Sequence, residues 1–262
     1  MIESAYSKFH KFSHNFTNLS GEILRKEFYK AHNIDVKDDK SFVTDIDFKI
    51  EKLFLDMISK EFPSHGVLGE EFGNKNPHSE IKWIIDPLDG TNNFIAGKPI
   101  FGTLLSLVEK GKNVLGLIDI PILNERWSGA SGLIVKKNNI IIEKKTENKA
   151  LSECIVSSTS MLMFDEDHIE TIRNIYDSSK FCVFGTDCYG YGLLISGKID
   201  LIIEADLRPW DFMSHAYLVE EIGGIMTDWS GKKLDTNSDG KVIAARSKKS
   251  HEQALNLLSK LR

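Results

Sequence analysis

The chain has 262 residues and a hydrophobic fraction of 41%, enough to bury a substantial core in one large domain or in two smaller domains that share an interface. Its formal net charge of -5 and charged fraction of 27% exclude the global basic excess of proteins that bind nucleic acids or anionic membranes. Three cysteines without C-x-x-C spacing argue against both a disulfide framework and a zinc knuckle.

The first predicted element is a long helix, because apolar residues recur at steps of three and four over 2–23. After a polar stretch, Thr44 or Asp45 is predicted to cap a second helix, whose apolar positions fall at helical spacing over 46–58. This cap places Asp47 in the first helical turn.

Runs rich in β-branched residues, separated by polar turns, occupy 81–145 and predict an antiparallel meander. Beyond a polar linker at 146–151, strand-like and helix-like runs alternate, which indicates an α/β layer. The sequence therefore predicts an N-terminal α+β region at 1–145 and a C-terminal α/β region at 146–262.

The cysteines and the apolar segments also indicate the cellular compartment of the protein. Cysteines that form no disulfide framework favour a reducing cytoplasm. The first ten residues contain no continuous apolar run of signal-peptide length, and charges interrupt the long hydrophobic stretches elsewhere. We therefore expect a soluble, cytoplasmic protein without a membrane-spanning segment.

Four acidic residues lie within or directly after apolar stretches: Glu70 in LGEEF, Asp86 and Asp89 in WIIDPLDGTNNF, and Asp211 in RPWDFMSH. Carboxylates buried close together repel one another unless cations lie between them, and oxygen-only ligands suit Mg²⁺ or Mn²⁺. Gly-Thr after Asp89 would start a short helix whose free backbone N–H groups can hold an anion. The pattern therefore predicts a divalent-cation site beside an anion site, and a phosphate ester as the ligand.

Two of these motifs carry a family resemblance. Glu70, the run at 86–91, and Trp210-Asp211 followed by EIGG at 221–224 resemble the paired signatures of the inositol monophosphatase family, in order and at similar spacing. The resemblance covers nearly the whole chain. It implies a layered αβαβα sandwich, a metal-dependent phosphomonoesterase with two or three Mg²⁺ ions per active site, and a homodimer.

The resemblance also implies metal-binding roles. Glu70 would be a ligand of the first metal, Asp86 would bridge two metals, and the carbonyl of Leu88 would complete the first site. Asp89 and Asp211 would hold the second metal. Most of these ligands come from the N-terminal region, whereas the C-terminal region supplies Asp211 and the residues that select the substrate.

Further roles concern the attacking water and the phosphate. Asp47 and Thr91 would orient the water, and Asp47 or Glu70 would help to take its proton. The amides of Gly90 and Thr91 would receive phosphate oxygens, and Lys37 matches a lysine near a mobile loop of the family. Asp47 has an alternative role, because an acid in the first turn stabilises a helix dipole.

A narrower resemblance concerns the substrate. The segments at 97–111, 115–129 and 185–211 look like the histidinol-phosphate phosphatase branch, which removes phosphate from L-histidinol phosphate in histidine biosynthesis. That substrate carries an ammonium group and an imidazole, so its pocket should contain acids that are not committed to metals. Asp187 and Glu204 are the candidates.

Both candidates have structural alternatives, and the chain departs from the branch at one place. Asp187 stands in a helix N-cap context, and Glu204 could be a surface acid at a strand end. The run at 160–164 replaces a Ser-Pro-Tyr-Met-Phe-like run of the branch.

Two other functions remain open. One is an inositol or related sugar-phosphate phosphatase of the same family. The other is a family member that binds RNA or the transcription machinery. Lys-Lys pairs lie scattered through turns among acids, so the sequence does not favour a nucleic-acid partner.

Overall fold

A computed structural model describes residues 6–30, 34–36 and 42–259. The helices within these residues are α1 (Ser7–Glu27), α2 (Asp45–Glu61), α3 (Thr91–Ile95), α4 (Glu166–Asp177), α5 (Asp187–Ile195), α6 (Pro209–Glu221) and α7 (Lys248–Leu258). None of the helices in this described part is long and apolar enough to cross a membrane. The first two helices confirm the two that apolar spacing predicts.

The strands form one short antiparallel pair, β1 (Ile34–Val36) with β2 (Phe42–Thr44), and two larger sheets. The strands of the first sheet are β3 (Gly66–Gly69), β4 (Gly73–Lys75), β5 (Ile81–Asp89), β6 (Gly102–Glu109), β7 (Lys112–Ile120), β8 (Glu125–Ala130), β9 (Leu133–Lys137) and β10 (Ile140–Ile141). The strands of the second are β11 (Ile155–Ser158), β12 (Phe181–Phe184), β13 (Leu201–Glu204), β14 (Ile225–Asp228) and β15 (Val242–Ala245).

The first sheet contains the predicted meander. Its strand order is β10-β9-β8-β7-β6-β5-β3-β4, and each strand from β5 to β10 pairs antiparallel with the next. Beyond β5 the sheet continues with β3, which pairs parallel to it. The register between β5 and β6 shifts between Asp86 and Asp89, so the predicted metal motif lies at an irregularity of the sheet.

The second sheet has the order β12-β11-β13-β15-β14. Its first three strands pair in parallel, as the alternation of strands and helices predicts. The strands β14 and β15 join antiparallel and were not predicted from the sequence. The C-terminal sheet is therefore mixed.

The layers follow from which faces are apolar. Helices α1 and α2 pack on one face of the first sheet, α5 and α6 lie between the two sheets, and α4 and α7 cover the outer face of the second sheet. One hydrophobic cluster joins both sheets through α5 and α6, and includes Ile84, Leu104, Ile202 and Val242. This arrangement confirms the αβαβα sandwich. The division at residue 145 into two regions stays a prediction.

Candidate active site

Three carboxylates converge where the end of β5 meets the start of α6. Ligand oxygens of Asp86, Asp89 and Asp211 all lie within 4.8 Å of one another. Asp86 accepts a hydrogen bond from the backbone N–H of Leu88 at 2.9 Å. Asp211 sits in the first turn of α6 and accepts one from the N–H of Arg208 at 2.7 Å. Local backbone donors therefore fix the orientation of two of the three groups.

The electrostatics of this cluster fit a divalent cation. Removal from water raises the pKa of Asp86 and of Asp211 well above the usual range, and neighbouring carboxylates raise both further. Removal from water, followed by the charge of Asp187, raises the pKa of Asp89 to about 7. Three hard oxygen donors that repel one another suit Mg²⁺, which is commonly held by few carboxylates together with substrate oxygens.

Glu70 lines the same cavity but lies outside the compact three-carboxylate cluster. Glu51 of α2 holds the turn that follows Glu70. The Glu51 side chain is fully buried and accepts hydrogen bonds from the N–H groups of Glu71 at 2.8 Å and Phe72 at 3.0 Å. A Cβ at Gly69 would overlap the Glu51 carboxylate, which would have to move away from these two N–H groups. Sequence reasoning missed Glu51, whose only signal is an acid on the apolar face of a predicted helix.

Asp47 has two contacts, one structural and one toward the site. Its Oδ2 accepts hydrogen bonds from the N–H of Thr44 at 2.9 Å and from the Thr44 hydroxyl at 2.6 Å, so Thr44 is the helix cap. Its Oδ1 lies 3.5 Å from the Thr91 hydroxyl, which also donates to the carbonyl of Leu88 at 2.9 Å. The predicted pair Asp47 and Thr91 is therefore brought together beside Leu88. Lys37 lies outside the described residues.

Gly90 forms the turn between the last strand residue and α3. Its φ of 78° is left-handed, a conformation that glycine adopts without strain, and it is the N-cap of α3. The first N–H groups of a helix have no partner within it, so Gly90 and Thr91 lie where backbone donors face the cavity. The structure thus places both predicted phosphate-binding residues on the cavity wall.

Asp187 lies on the cavity wall at the start of α5, across from Gly90. The helix cap is Thr186, so a capping role for Asp187 is wrong. Its backbone is left-handed, with a φ of 43°, and its carboxylate accepts a hydrogen bond from the side-chain amide of Asn93. Burial raises its pKa to about 6, although Asn93 and Lys98 act in the opposite direction.

Glu204 ends β13 and is only 3% exposed, so the alternative of a surface acid is wrong. One carboxylate oxygen accepts from the N–H of Thr159 at 2.9 Å and from its hydroxyl at 2.6 Å. The other accepts from the hydroxyl of Tyr191 at 2.8 Å. Burial raises the pKa of Glu204 to about 7, while these donors act to lower it.

The cavity that these side chains enclose has a volume of about 240 Å³ and is strongly acidic. Its described lining contains no Lys or Arg but includes six carboxylate side chains: Glu70, Asp86, Asp89, Asp187, Glu204 and Asp211.

The sequence did not predict these lining residues as site residues: Asn92, Thr159, Cys188, Tyr191, Leu207 and His215. The lining also contains Met163, which belongs to the run at 160–164 that departs from the histidinol-phosphate phosphatase branch and which ends the 3₁₀ turn Met161–Met163. The only sequence signal for Cys188 and Tyr191 was their position one and four residues after Asp187.

Comparison with known proteins decides the family. A sequence model that describes the inositol monophosphatase family matches residues 6–262 of this chain. The chain belongs to the inositol monophosphatase family. It is therefore a phosphatase, a hydrolase of phosphoric monoesters, and the Asp86, Asp89 and Asp211 cluster fits the Mg²⁺ dependence of this family.

Individual members show how close the similarity is. The chain is 39% identical to the chloroplastic bifunctional phosphatase IMPL2 of Arabidopsis thaliana, over 98% of this chain and 77% of the relative. It is 32% identical to a histidinol-phosphatase of Chlorobaculum parvum, over 84% and 86%. A solved inositol monophosphatase from Zymomonas mobilis aligns with a TM-score of 0.87 at 34% identity, over 98% of this chain and 100% of that one.

Proposed function

We propose that the protein is a Mg²⁺-dependent phosphatase that hydrolyses L-histidinol phosphate to L-histidinol and phosphate, a step of histidine biosynthesis. The observation that carries this proposal is the pair of carboxylates, Asp187 and Glu204, on the wall of the cavity that also contains the Asp86, Asp89 and Asp211 cluster. The 32% identity to a histidinol-phosphatase supports the same assignment.

Charge balance favours a cationic substrate. The lining carboxylates bring up to six negative charges, and the phosphate of a monoester adds about two more at neutral pH. Two divalent cations would offset only half of this total. An ammonium group and an imidazole on the alcohol part of the substrate would compensate further charge, whereas the hydroxyl groups of inositol would not.

Different residues along the cavity would bind the metal ions, the phosphate and the cationic part of the substrate. Asp86, Asp89 and Asp211, with Glu70 and the Leu88 carbonyl, would hold the metal ions. The amides of Gly90 and Thr91 would bind the phosphate at one end, and Asp187 and Glu204 would receive the cationic groups at the other. When bound, Mg²⁺ supplies positive charge that activates the attacking water and stabilises the departing alkoxide oxygen.

The chain itself orients the attacking water. The Thr91 hydroxyl lies between Asp47 Oδ1 at 3.5 Å and the carbonyl of Leu88 at 2.9 Å. A water that donates a hydrogen bond to Thr91 would be oriented by it, and Asp47 or Glu70 would accept the proton that the water loses. The water oxygen would then attack phosphorus in line with the leaving group. No covalent enzyme intermediate is expected, because the attacking group is a water activated by the metal.

A second candidate is an inositol 1-phosphate phosphatase. The observation in its favour is the 34% identity, over nearly the whole chain, to a solved inositol monophosphatase. A homodimer and a cytoplasmic location are further predictions of the sequence that belong with either candidate.

A substrate comparison tests the proposal. Initial rates would be measured at equal Mg²⁺ for L-histidinol phosphate, for its analogue without the amino group, for myo-inositol 1-phosphate and for p-nitrophenyl phosphate. We expect the highest kcat/KM for L-histidinol phosphate and an intermediate value for the analogue without the amino group, and we expect EDTA to abolish every rate. Faster turnover of inositol 1-phosphate would overturn the proposal in favour of the second candidate.

A further inference from the structure

The carboxylate of Glu204 is held on both oxygens by neutral donors. Tyr191, on α5, donates its hydroxyl to Oε2 at 2.8 Å, while the N–H and hydroxyl of Thr159 donate to Oε1 at 2.9 and 2.6 Å. Tyr191 and Glu204 are 2% and 3% exposed, so water does not replace these bonds. Burial raises the pKa of Tyr191 well above its usual range, and its hydroxyl therefore stays a donor. The orientation of Glu204 depends on these two residues.

Tyr191 also connects Glu204 to the helix that bears a metal ligand. Its ring stacks on the imidazole of His215, with centroids 4.0 Å apart and planes inclined by 13°. His215 is 1% exposed and lies on α6, one turn after Asp211. Burial lowers the pKa of His215 to about 3, so the stack involves a neutral ring. Both rings line the cavity.

We propose that Tyr191 is a positioning residue that determines substrate specificity: its hydroxyl aims the Glu204 carboxylate at the cationic end of the substrate, and its stack on His215 sets the distance from that carboxylate to the phosphate end. The inference rests on the proposed function, because it takes the substrate to be a monoester with an ammonium or imidazolium group. Tyr191 itself contacts neither metal nor phosphate in this assignment.

Tyr191→Phe is the direct test, since it removes the hydroxyl and keeps the ring on His215. Loss of one hydrogen bond to a buried carboxylate should lower kcat/KM for L-histidinol phosphate by about tenfold, mainly through KM. The loss on p-nitrophenyl phosphate, which has no cationic group, should be much smaller. Mg²⁺ affinity measured by calorimetry should stay close to that of the wild type.

A matched control lies on the same helix. Tyr189→Phe is the identical change two residues earlier, at a ring that packs on Trp127 with its hydroxyl directed to Glu125 rather than into the cavity. Tyr189→Phe should leave the ratio of kcat/KM for L-histidinol phosphate to kcat/KM for p-nitrophenyl phosphate unaltered. Thr159→Val removes a donor from the other carboxylate oxygen and should shift the ratio in the same direction as Tyr191→Phe, which provides a second test if one variant folds poorly.

A double-mutant cycle shows whether Tyr191 acts through Glu204. Once Glu204→Gln has removed the charge, Tyr191→Phe should cause little further loss of selectivity. Two results would overturn the inference. One is a double variant whose loss of selectivity is the product of the losses of the two single variants. The other is an equal loss of kcat/KM on both substrates in Tyr191→Phe. If the wild type prefers inositol 1-phosphate, the proposed function fails, and the cationic end of the substrate fails with it. The same cycle on that substrate then decides only whether Tyr191 positions Glu204: coupling supports this and its absence overturns it.

Discussion

The backbone N–H of Cys188 donates a hydrogen bond to Asp89 Oδ2 at 2.8 Å. Cys188 is in the first turn of α5 and Asp89 ends β5, so this bond joins the start of α5 to the Asp86, Asp89 and Asp211 cluster. Burial and then the charge of Asp89 raise the pKa of the Cys188 thiol well above its usual range. The thiol therefore stays protonated and adds no negative charge beside Asp89.

Asp89→Asn should remove most of the affinity for one metal ion and lower kcat by orders of magnitude. The amide keeps an oxygen to accept from Cys188, so the fold should persist, but the charge that holds the cation is lost. Calorimetric Mg²⁺ titration and steady-state rates check this. Asp56→Asn is the control, because Asp56 is exposed and forms an ion pair with Lys52 on the surface of α2. Near-normal activity of Asp89→Asn would refute the assigned role.

Asp187→Asn should raise KM for L-histidinol phosphate about tenfold and have little effect on inositol 1-phosphate, because it removes a charge while keeping an acceptor for Asn93. Asp206→Asn is a close control. Asp206 also has a left-handed backbone, with a φ of 60°, but it is exposed and does not line the cavity. If both substrates respond equally to Asp187→Asn, then Asp187 does not select the substrate.

The local parts of the fold and site were predictable, because neighbours in sequence determine them. The cap at Thr44, the meander and the carboxylates of Asp86 and Asp89 all depend on spacing within about ten residues. The strand partner of β3 was not predictable, since β3 pairs parallel to a strand beyond a hairpin. The contacts of Glu51 and Tyr191 likewise join distant segments, and no local pattern distinguishes them from ordinary helix residues.

Gly69→Ala should destabilise the protein by about 1–3 kcal/mol, because the new methyl group would meet the buried carboxylate of Glu51. Urea unfolding measures the change. The matched test is Glu51→Asp, which shortens the side chain and makes room for the methyl group. The double variant should be less destabilised than the sum of the two single variants. Strict additivity would show that the two side chains do not meet.

Acid should destabilise the protein through His251 on α7. Burial lowers its pKa to about 4, against an opposing effect of Glu252, and the unfolded value is about 6.5. Between those values the unfolded chain binds a proton that the folded chain does not, so the free energy of unfolding falls as pH falls through this window. Below about pH 4 the loss is complete.

The variant His251→Gln isolates this effect. Its side-chain amide can still donate to the Thr227 hydroxyl, which His251 Nε2 contacts at 2.9 Å and which itself donates to the carbonyl of Asp228. Urea unfolding at pH 7.5 and pH 5 should show that the wild type loses about 1–2 kcal/mol more than the variant. Parallel losses in the two proteins would assign the acid sensitivity to other groups.

Mg²⁺ should raise the melting temperature, because it binds a folded cluster of mutually repelling carboxylates that does not exist in the unfolded chain. A cation at a hundred times its Kd stabilises by about 2.7 kcal/mol, which thermal unfolding detects easily. Choline chloride at equal ionic strength is the control for screening. Asp89→Asn should show a smaller Mg²⁺ shift than Asp56→Asn, since only the former loses a ligand. Equal shifts with choline and Mg²⁺ would mean that Asp86, Asp89 and Asp211 do not form a specific cation site.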